Sequence, residues 1–328
     1  MPARTTILFD AGRGYAPITN LRTLVDCTVA RRGERWWMFA CGLCADSWEI
    51  QMFSAALPPG APLSATGWQI TPDAARFDSP ALLAGKSRSY AWDGAGGRHC
   101  PAYVRGFDPQ RKAWVERIYY AGAAQHYLGP YAIGYLEWDG GEWRDQPEPA
   151  LTAAEPWEHG SLYEPNVIYH DGKWKLWYVA GANQDDYLVQ GYAESSNGRG
   201  PWSARQIVFP PEAKVFDFCV TPVASGFEAV FSRVDVRAPE AARRHPRSGT
   251  GLWWCRAPQP SPVIADWTAP VRIAPPGPWK PVLRYDPADP NTVFIFHDGA
   301  YPNPAAERMP LHFTLNCLEV PRPLSAAP

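Results

Sequence analysis

Asp26, Glu164, Asp217 and Lys280 each stand at the entry of a short β-prone run, and His99-Cys100 holds the same place in a fifth run. If these entries converge, three carboxylates, an imidazole or thiol, and an ammonium meet in one cleft. Like charges held close raise one another's pKa, so one acid of such a set can stay protonated near neutrality while another stays ionised. That pairing is what general acid/base catalysis requires.

The elements that must bring these residues together are hairpins. Glu164 to Gly181 reads EPNVIYHDGKWKLWYVAG, in which two β-prone runs flank His170-Asp171-Gly172-Lys173. Asp-Gly between such runs predicts a two-residue hairpin turn, because both central residues must tolerate positive φ. A carboxylate followed by proline suits the exposed entry of a strand better than its middle. The outline recurs at Asp26 to Gly42, at His99-Cys100 through Trp114 to Gly122, at Asp217 through Phe227 to Ser232, and at Lys280 through Thr292 to His297. The repeat spacing is roughly 50 to 75 residues, that of four-stranded propeller blades with long loops.

Each hairpin is followed by segments that can supply two outer strands, such as Tyr131–Trp138 with Asp139–Trp143 and Leu188–Glu194 with Asn197–Trp202. No apolar stripe of helical period is sustained, and 36 prolines with 27 glycines argue against long helices. The chain is therefore expected to be all-β, a five-bladed β-propeller forming a single domain over residues 1–328. An all-β sandwich would use similar strands but gives no reason for the acid-led hairpin to recur.

Composition narrows the partners. The formal net charge of −2 gives no general affinity for nucleic acid or an anionic membrane. No apolar run approaches transmembrane length, and MPARTTILFDAG lacks the features of a signal peptide. Seven scattered cysteines favour reduced, packed thiols; Cys41-Gly-Leu-Cys44 is the single close pair and has no second pair to complete a metal site. A cytoplasmic protein with a small-molecule substrate is expected, its oligomeric state open. The polar stretch Arg237 to Gly249 reads as a solvated excursion of the fourth unit.

Asp26-Cys-Thr-Val with Trp36-Trp-Met-Phe, and Glu164-Pro-Asn-Val-Ile-Tyr with Gly172-Lys-Trp-Lys-Leu-Trp-Tyr, resemble the blade-start motifs of the five-bladed propeller glycosidases. These are the family 43-like arabinofuranosidases and xylosidases and the related fructosidases. The resemblance implies that Asp26 is the base or nucleophile and that Glu164 tunes pKa and orients the sugar. Asp217 falls at the position of the general acid. The order of acids at the third and fourth blades, Glu then Asp, is the reverse of the family's, and Asp reaches about one methylene less. The second motif, His99-Cys-Pro-Ala-Tyr, also departs from the family's.

Substrate contacts are expected from His99, Lys280, His159 and Tyr163, the last two just before Glu164. His297 in Phe294-Ile-Phe-His-Asp-Gly299 is a further candidate beside the channel, or else a packed histidine. Arg233 follows the fourth-unit strand beside Asp235, as a ligand contact or as half of an ion pair. Of the 16 tryptophans, Trp36, Trp174, Trp177 and Trp253 fall in strands, whereas Trp48, Trp92, Trp157 and Trp279 fall in expected loops. Trp157 and Trp279 are placed best to stack on a ligand. Asp185-Asp186 is a solvated pair or a cation contact. No cofactor is expected, although the channel could hold a central cation such as Ca2+.

Three functions fit. The first is a glycoside hydrolase-like enzyme acting on a small glycoside or oligosaccharide, with Asp26 activating water and Asp217, or Glu164 in its place, protonating the leaving oxygen. The second is a non-hydrolytic lyase, isomerase or cyclase of a small, partly apolar metabolite, with the acids as proton shuttles. The third is a non-catalytic binding module, disfavoured because burying unpaired charge is costly.

Overall fold

The computed structural model describes residues 3–47, 49–84, 92–94, 97–124, 129–181, 188–234, 249–274, 277–304 and 310–322. Trp48, Asp185, Asp186, Asp235 and most of the 237–249 stretch lie outside the described residues.

The chain forms five four-stranded antiparallel sheets arranged as a five-bladed β-propeller. Blade I contains β2 (Leu21–Arg32), β3 (Arg35–Cys44), β4 (Ile50–Ala56) and β5 (Gln69–Ile70). Blade II contains β6 (Gly97–Asp108), β7 (Ala113–Ala123), β8 (Tyr131–Trp138) and β9 (Trp143–Arg144). Blade III contains β10 (Leu162–His170), β11 (Lys173–Ala180), β12 (Val189–Ser195) and β13 (Ser203–Phe209). Blade IV contains β14 (Val215–Val223), β15 (Gly226–Val234), β16 (Gly249–Ala257) and β17 (Val271–Arg272). Blade V runs outward through β18 (Trp279–Asp286), β19 (Asp289–Pro302) and β20 (Leu311–Pro321), and its outermost strand is β1 (Arg4–Asp10) from the other end of the chain.

Local chemistry explains the hairpins. Asp171 and Gly172 both have positive φ, 51° and 73°, so His170 pairs directly with Lys173 as the Asp-Gly signal requires. Apolar side chains of adjacent blades interdigitate. Trp174, Tyr119 and Tyr178 pack between blades II and III, and Trp177, Phe218 and Phe231 between III and IV, all fully buried. Trp36 and Trp253 are only half-buried, at the margins of these layers. No helix among the described residues is long and apolar enough to cross a membrane.

The sequence reading gave no strand to residues 4–10, yet this strand closes the ring. It pairs with β20 from Arg4↔Glu319 to Asp10↔Thr314, covering an edge that would otherwise expose unpaired backbone groups. Deleting residues 3–10 is expected to lower Tm by about 5–10 °C and promote self-association, read by calorimetry and light scattering. An unchanged Tm would show that the ring does not depend on this closure.

Candidate active site

Every innermost strand has one irregularity at the same level. Register shifts separate Val25 from Thr28, His99 from Ala102, Tyr163 from Asn166, Phe216 from Cys219, and Trp279 from Val282. The first residue of each two-residue bulge is left-handed: Asp26 (φ 49°), Cys100 (55°), Glu164 (53°), Asp217 (61°) and Lys280 (52°). A non-glycine residue in that region costs roughly 1 kcal/mol or more, and such strain concentrates where a side chain must be aimed. Pro101, Pro165 and Pro281 follow three of the five, at positions where the ladder is already interrupted.

The acids therefore lie within strands rather than at exposed strand entries. Glu164 is the third residue of β10 and Asp26 the sixth of β2, and both are buried. The inner strands run past the level where the chemistry-bearing side chains converge. The bulge, and not the strand end, turns each side chain toward the propeller axis.

The convergence is tight. The Lys280 ammonium donates to Glu164 Oε2 and lies 3.8 Å from Asp217 Oδ1. Asp217 Oδ2 accepts the Lys280 backbone N–H at 3.0 Å and the Ser232 hydroxyl at 3.4 Å. Asp26, Cys100 and Glu164 each offer an atom within 4.8 Å of the other two. The Cys41 and Cys100 thiols donate to Asp26 Oδ2 at 3.3 and 3.7 Å. Burial first, and the Asp26 charge second, push both thiols well above the ordinary cysteine range, so they remain S–H donors. The Asp26 backbone N–H is held by both oxygens of Asp298, at 3.1 and 3.0 Å.

From this level a channel of about 340 Å³ follows the second halves of the inner strands. Glu164, Asp217 and Lys280 stand at its head, and its wall is largely apolar, with Val29, Ala102, Val104, Val167, Val220 and Val282.

The other expected contacts divide. Cys100, not His99, holds the bulge position; His99 is turned aside and meets the Tyr131 ring edge-on at 5.3 Å. Tyr163 is buried between Tyr131 and Phe216, its hydroxyl without a hydrogen-bond partner among the described residues. Burial, and next the charge of Asp217, raise its pKa. Trp279 is the first residue of β18 rather than a loop residue, buried edge-on against Phe313 at 6.4 Å. Trp157 stacks on Tyr178 at 6.2 Å over Gly191, and Trp92 on Tyr120 at 5.4 Å, both against blade faces rather than the channel. His159 is an exposed left-handed cap of a short 3-10 turn. Arg233 lies over the Trp253 ring at 4.6 Å, one strand out from the channel. His297 is a packed histidine on β19, its Nδ1 3.0 Å from the Asp298 carbonyl, and burial pulls its pKa down to about 4.

A Ca2+ ion takes six to eight oxygens. The three-residue set of Asp26, Cys100 and Glu164 replaces one oxygen ligand with a protonated thiol, and the Lys280 ammonium already contacts Glu164. These residues do not fit a central Ca2+. Asp298, Thr28 and Arg284 carry no distinguishing sequence signal, and Cys41 stands out in sequence only through its spacing to Cys44. Asp298 follows His297 directly, but only the blade V–blade I junction, which sequence does not display, brings it to Asp26.

No protein-family model matches the chain, and no curated protein matches it closely enough to count as a relative. Its structure is similar to a thermostable family-43 glycoside hydrolase (TM-score 0.60, 12% identity, covering 90% of this chain and 88% of that one). It is similar to the catalytic domain of the Coprinopsis cinerea GH62 α-L-arabinofuranosidase (TM-score 0.64, 13% identity, 97% and 98% coverage). A family 117 glycoside hydrolase from the marine bacterium Zobellia galactanivorans gives TM-score 0.64 at 11% identity, over 100% and 92% of the two chains. The chain thus has the five-bladed propeller fold of these glycoside hydrolases, in a divergent sequence.

Two outcomes are expected. Lys280→Met leaves the Glu164 charge buried without its partner and should lose about 3–5 kcal/mol in urea unfolding, much of it regained in Lys280→Met/Glu164→Gln. Additive losses would show that the pair is not coupled. His297 has a folded pKa below its unfolded value, so its contribution is complete above pH 6.5 and is lost as pH falls toward 4, amounting to about 3 kcal/mol. His297→Gln should flatten the stability–pH curve in that window.

Proposed function

We propose that the head of the channel is the active site of a glycoside hydrolase-like enzyme that uses carboxylate acid/base chemistry on a small glycoside or oligosaccharide. The observation that carries this reading is the convergence of Glu164 and Asp217 on one ammonium, with Asp26 beside Glu164, at the bulge level of a glycosidase-type propeller. Asp26 acts on water or on the anomeric carbon; its backbone is fixed by Asp298 and its carboxylate oriented by two S–H donors. Asp217 delivers the proton to the leaving oxygen. Glu164 has its counter-charge in contact and is the carboxylate least suited to release a proton, so it holds a hydroxyl and balances Lys280. All seven cysteines are unpaired, which supports action in a reducing compartment such as the cytoplasm.

A second reading, a lyase, isomerase or cyclase, is favoured by the apolar channel wall. Valines and prolines give a sugar hydroxyl few partners, whereas they would enclose a partly apolar metabolite while the same acids move protons.

Aryl arabinofuranosides, xylosides and fructosides separate the two. The hydrolase reading expects turnover of at least one, with Asp26→Asn and Asp217→Asn each reducing kcat/KM by about 10²–10⁴ at unchanged circular dichroism. Unchanged rates in both variants would overturn both enzymatic assignments. Absence of glycoside turnover, together with an acid-dependent rearrangement of an unsaturated metabolite, would establish the second.

A further inference from the structure

Arg284 lies four residues beyond Lys280 on β18, in the wall of the same channel. Its guanidinium meets only neutral oxygens: Nε donates to the Val29 carbonyl, Nη1 to the Leu283 carbonyl at 2.6 Å, and Nη2 to the Thr28 hydroxyl at 3.3 Å. Arg284 is itself half-buried, and the two arginines that are fully buried, Arg98 and Arg117, are neutralised. Arg98 pairs with Asp93 and Asp145 at 3.1 and 2.7 Å, and Arg117 with Asp108 and Glu137 at 3.1 and 2.8 Å. No described carboxylate lies within ion-pair distance of Arg284. Desolvation pulls its pKa below the ordinary arginine value, opposed by the Cys219 and Cys27 thiols and by no carboxylate.

Arg284 does join blade V to blade I, and a structural role is the alternative. The other joins along this wall are made by neutral side chains. Tyr103 N–H donates to Thr28 Oγ1 at 3.4 Å, Val220 N–H to Asn166 Oδ1 at 2.8 Å, and Thr221 Oγ1 to the Leu283 carbonyl at 3.2 Å. Joining blades therefore accounts for the reach of Arg284 but not for its charge. Arg31 and Arg105, both exposed, line the channel one residue nearer its far end. Below the head, every charged residue lining the channel is an arginine.

We propose that the lower channel is an oxyanion-binding site in which Arg284 seats a carboxylate or phosphate group. A guanidinium has five N–H donors, and three are engaged here, so two remain for a ligand. An anion in the channel gives this half-buried guanidinium, which has no carboxylate partner among the described residues, a set of charge-assisted bonds. The contacts to Thr28 and Val29 put the guanidinium two to three residues below Asp26, about 7–10 Å at roughly 3.3 Å per residue. That distance is spanned by one small ring. On the acid/base reading of the channel head, the substrate class is then a small molecule with an anionic group at one end and its reacting bond at the other. Anion binding itself does not depend on that reading.

Isothermal titration of the full chain at low ionic strength, with inorganic phosphate and separately with acetate, tests the site without any turnover. Both anions should bind, and the tighter one identifies phosphate or carboxylate as the preferred group. Thr28→Asp places a carboxylate of nearly the same size against Nη2, so the fold should persist with Tm equal or higher. Affinity for either anion should fall about ten- to a hundredfold. Arg284→Gln, which keeps donors for the blade junction, should lose binding to the same extent; if it does not fold, Thr28→Asp decides alone. Asp217→Asn should retain anion binding, which separates this site from the catalytic assignment. No binding of either anion to the wild-type chain, or equal affinity in Thr28→Asp, would overturn the proposal.

Discussion

The innermost strand of a propeller blade is a sheet edge facing a closed channel, and its backbone polar groups must be satisfied there or interrupted. This chain does both. At one level all five inner strands break their ladders with a left-handed residue, and below that level side chains of one blade bond the inner-edge backbone of a neighbour. The break converts a period-2 strand, whose side chains would point into the blade interfaces, into a ring of five side chains aimed at the axis. Without it, Glu164 and Lys280 would not meet. The strain of five left-handed residues is sustained because the aromatic layers between blades, with Trp174, Trp177 and Phe231 fully buried, leave the backbone no room to relax.

The charge arrangement follows from that ring. Glu164 and Asp217 share the Lys280 ammonium at the head, with Asp26 beside Glu164, and a further positive charge, Arg284, is held lower in the channel by carbonyls. The axis is thus negative at one end and positive at the other, with an apolar wall between them. In such a low-dielectric passage both ends act more strongly on a ligand than they would on an open surface. A dipolar or anionic ligand has one preferred orientation there, whichever reaction the head performs.

Much of this was legible in the chain. The recurrent hairpin gave the blades, and Asp171-Gly172 gave its turn type. The repeat pointed to Asp26, Glu164, Asp217 and Lys280, and left the fifth position between His99 and Cys100, of which Cys100 holds the bulge. Short-range pattern could not show that they sit on bulges inside the strands, because a left-handed residue within a β-prone run has no distinct composition, and proline follows only three of the five. Strand β1 was missed since its seven residues lack a hairpin partner nearby and pair with residues some three hundred positions away. The aromatic contacts were misplaced for a related reason. Trp279 adjoins Lys280, and adjacent residues of an extended chain point in opposite directions, so its ring is turned from the axis, whereas Trp157 lies in a short 3-10 turn seven residues before Glu164 and stacks on Tyr178.

The lysine matters more to the chemistry than the exchange of Glu and Asp between blades III and IV. A carboxylate one methylene shorter shifts a proton by an ångström or so, which small movements of a bound ligand can absorb. An ammonium in contact with Glu164 and within 3.8 Å of Asp217 instead changes which acids can exchange protons. It supplies Glu164 with a counter-charge, while Asp26 accepts from the Cys41 and Cys100 thiols. On the proposed acid/base reading, this leaves Asp26 and Asp217 to exchange protons. The same pair places a fixed ammonium among the converging carboxylates, so that the charge of the head is set by side chains that the bulges aim at one point.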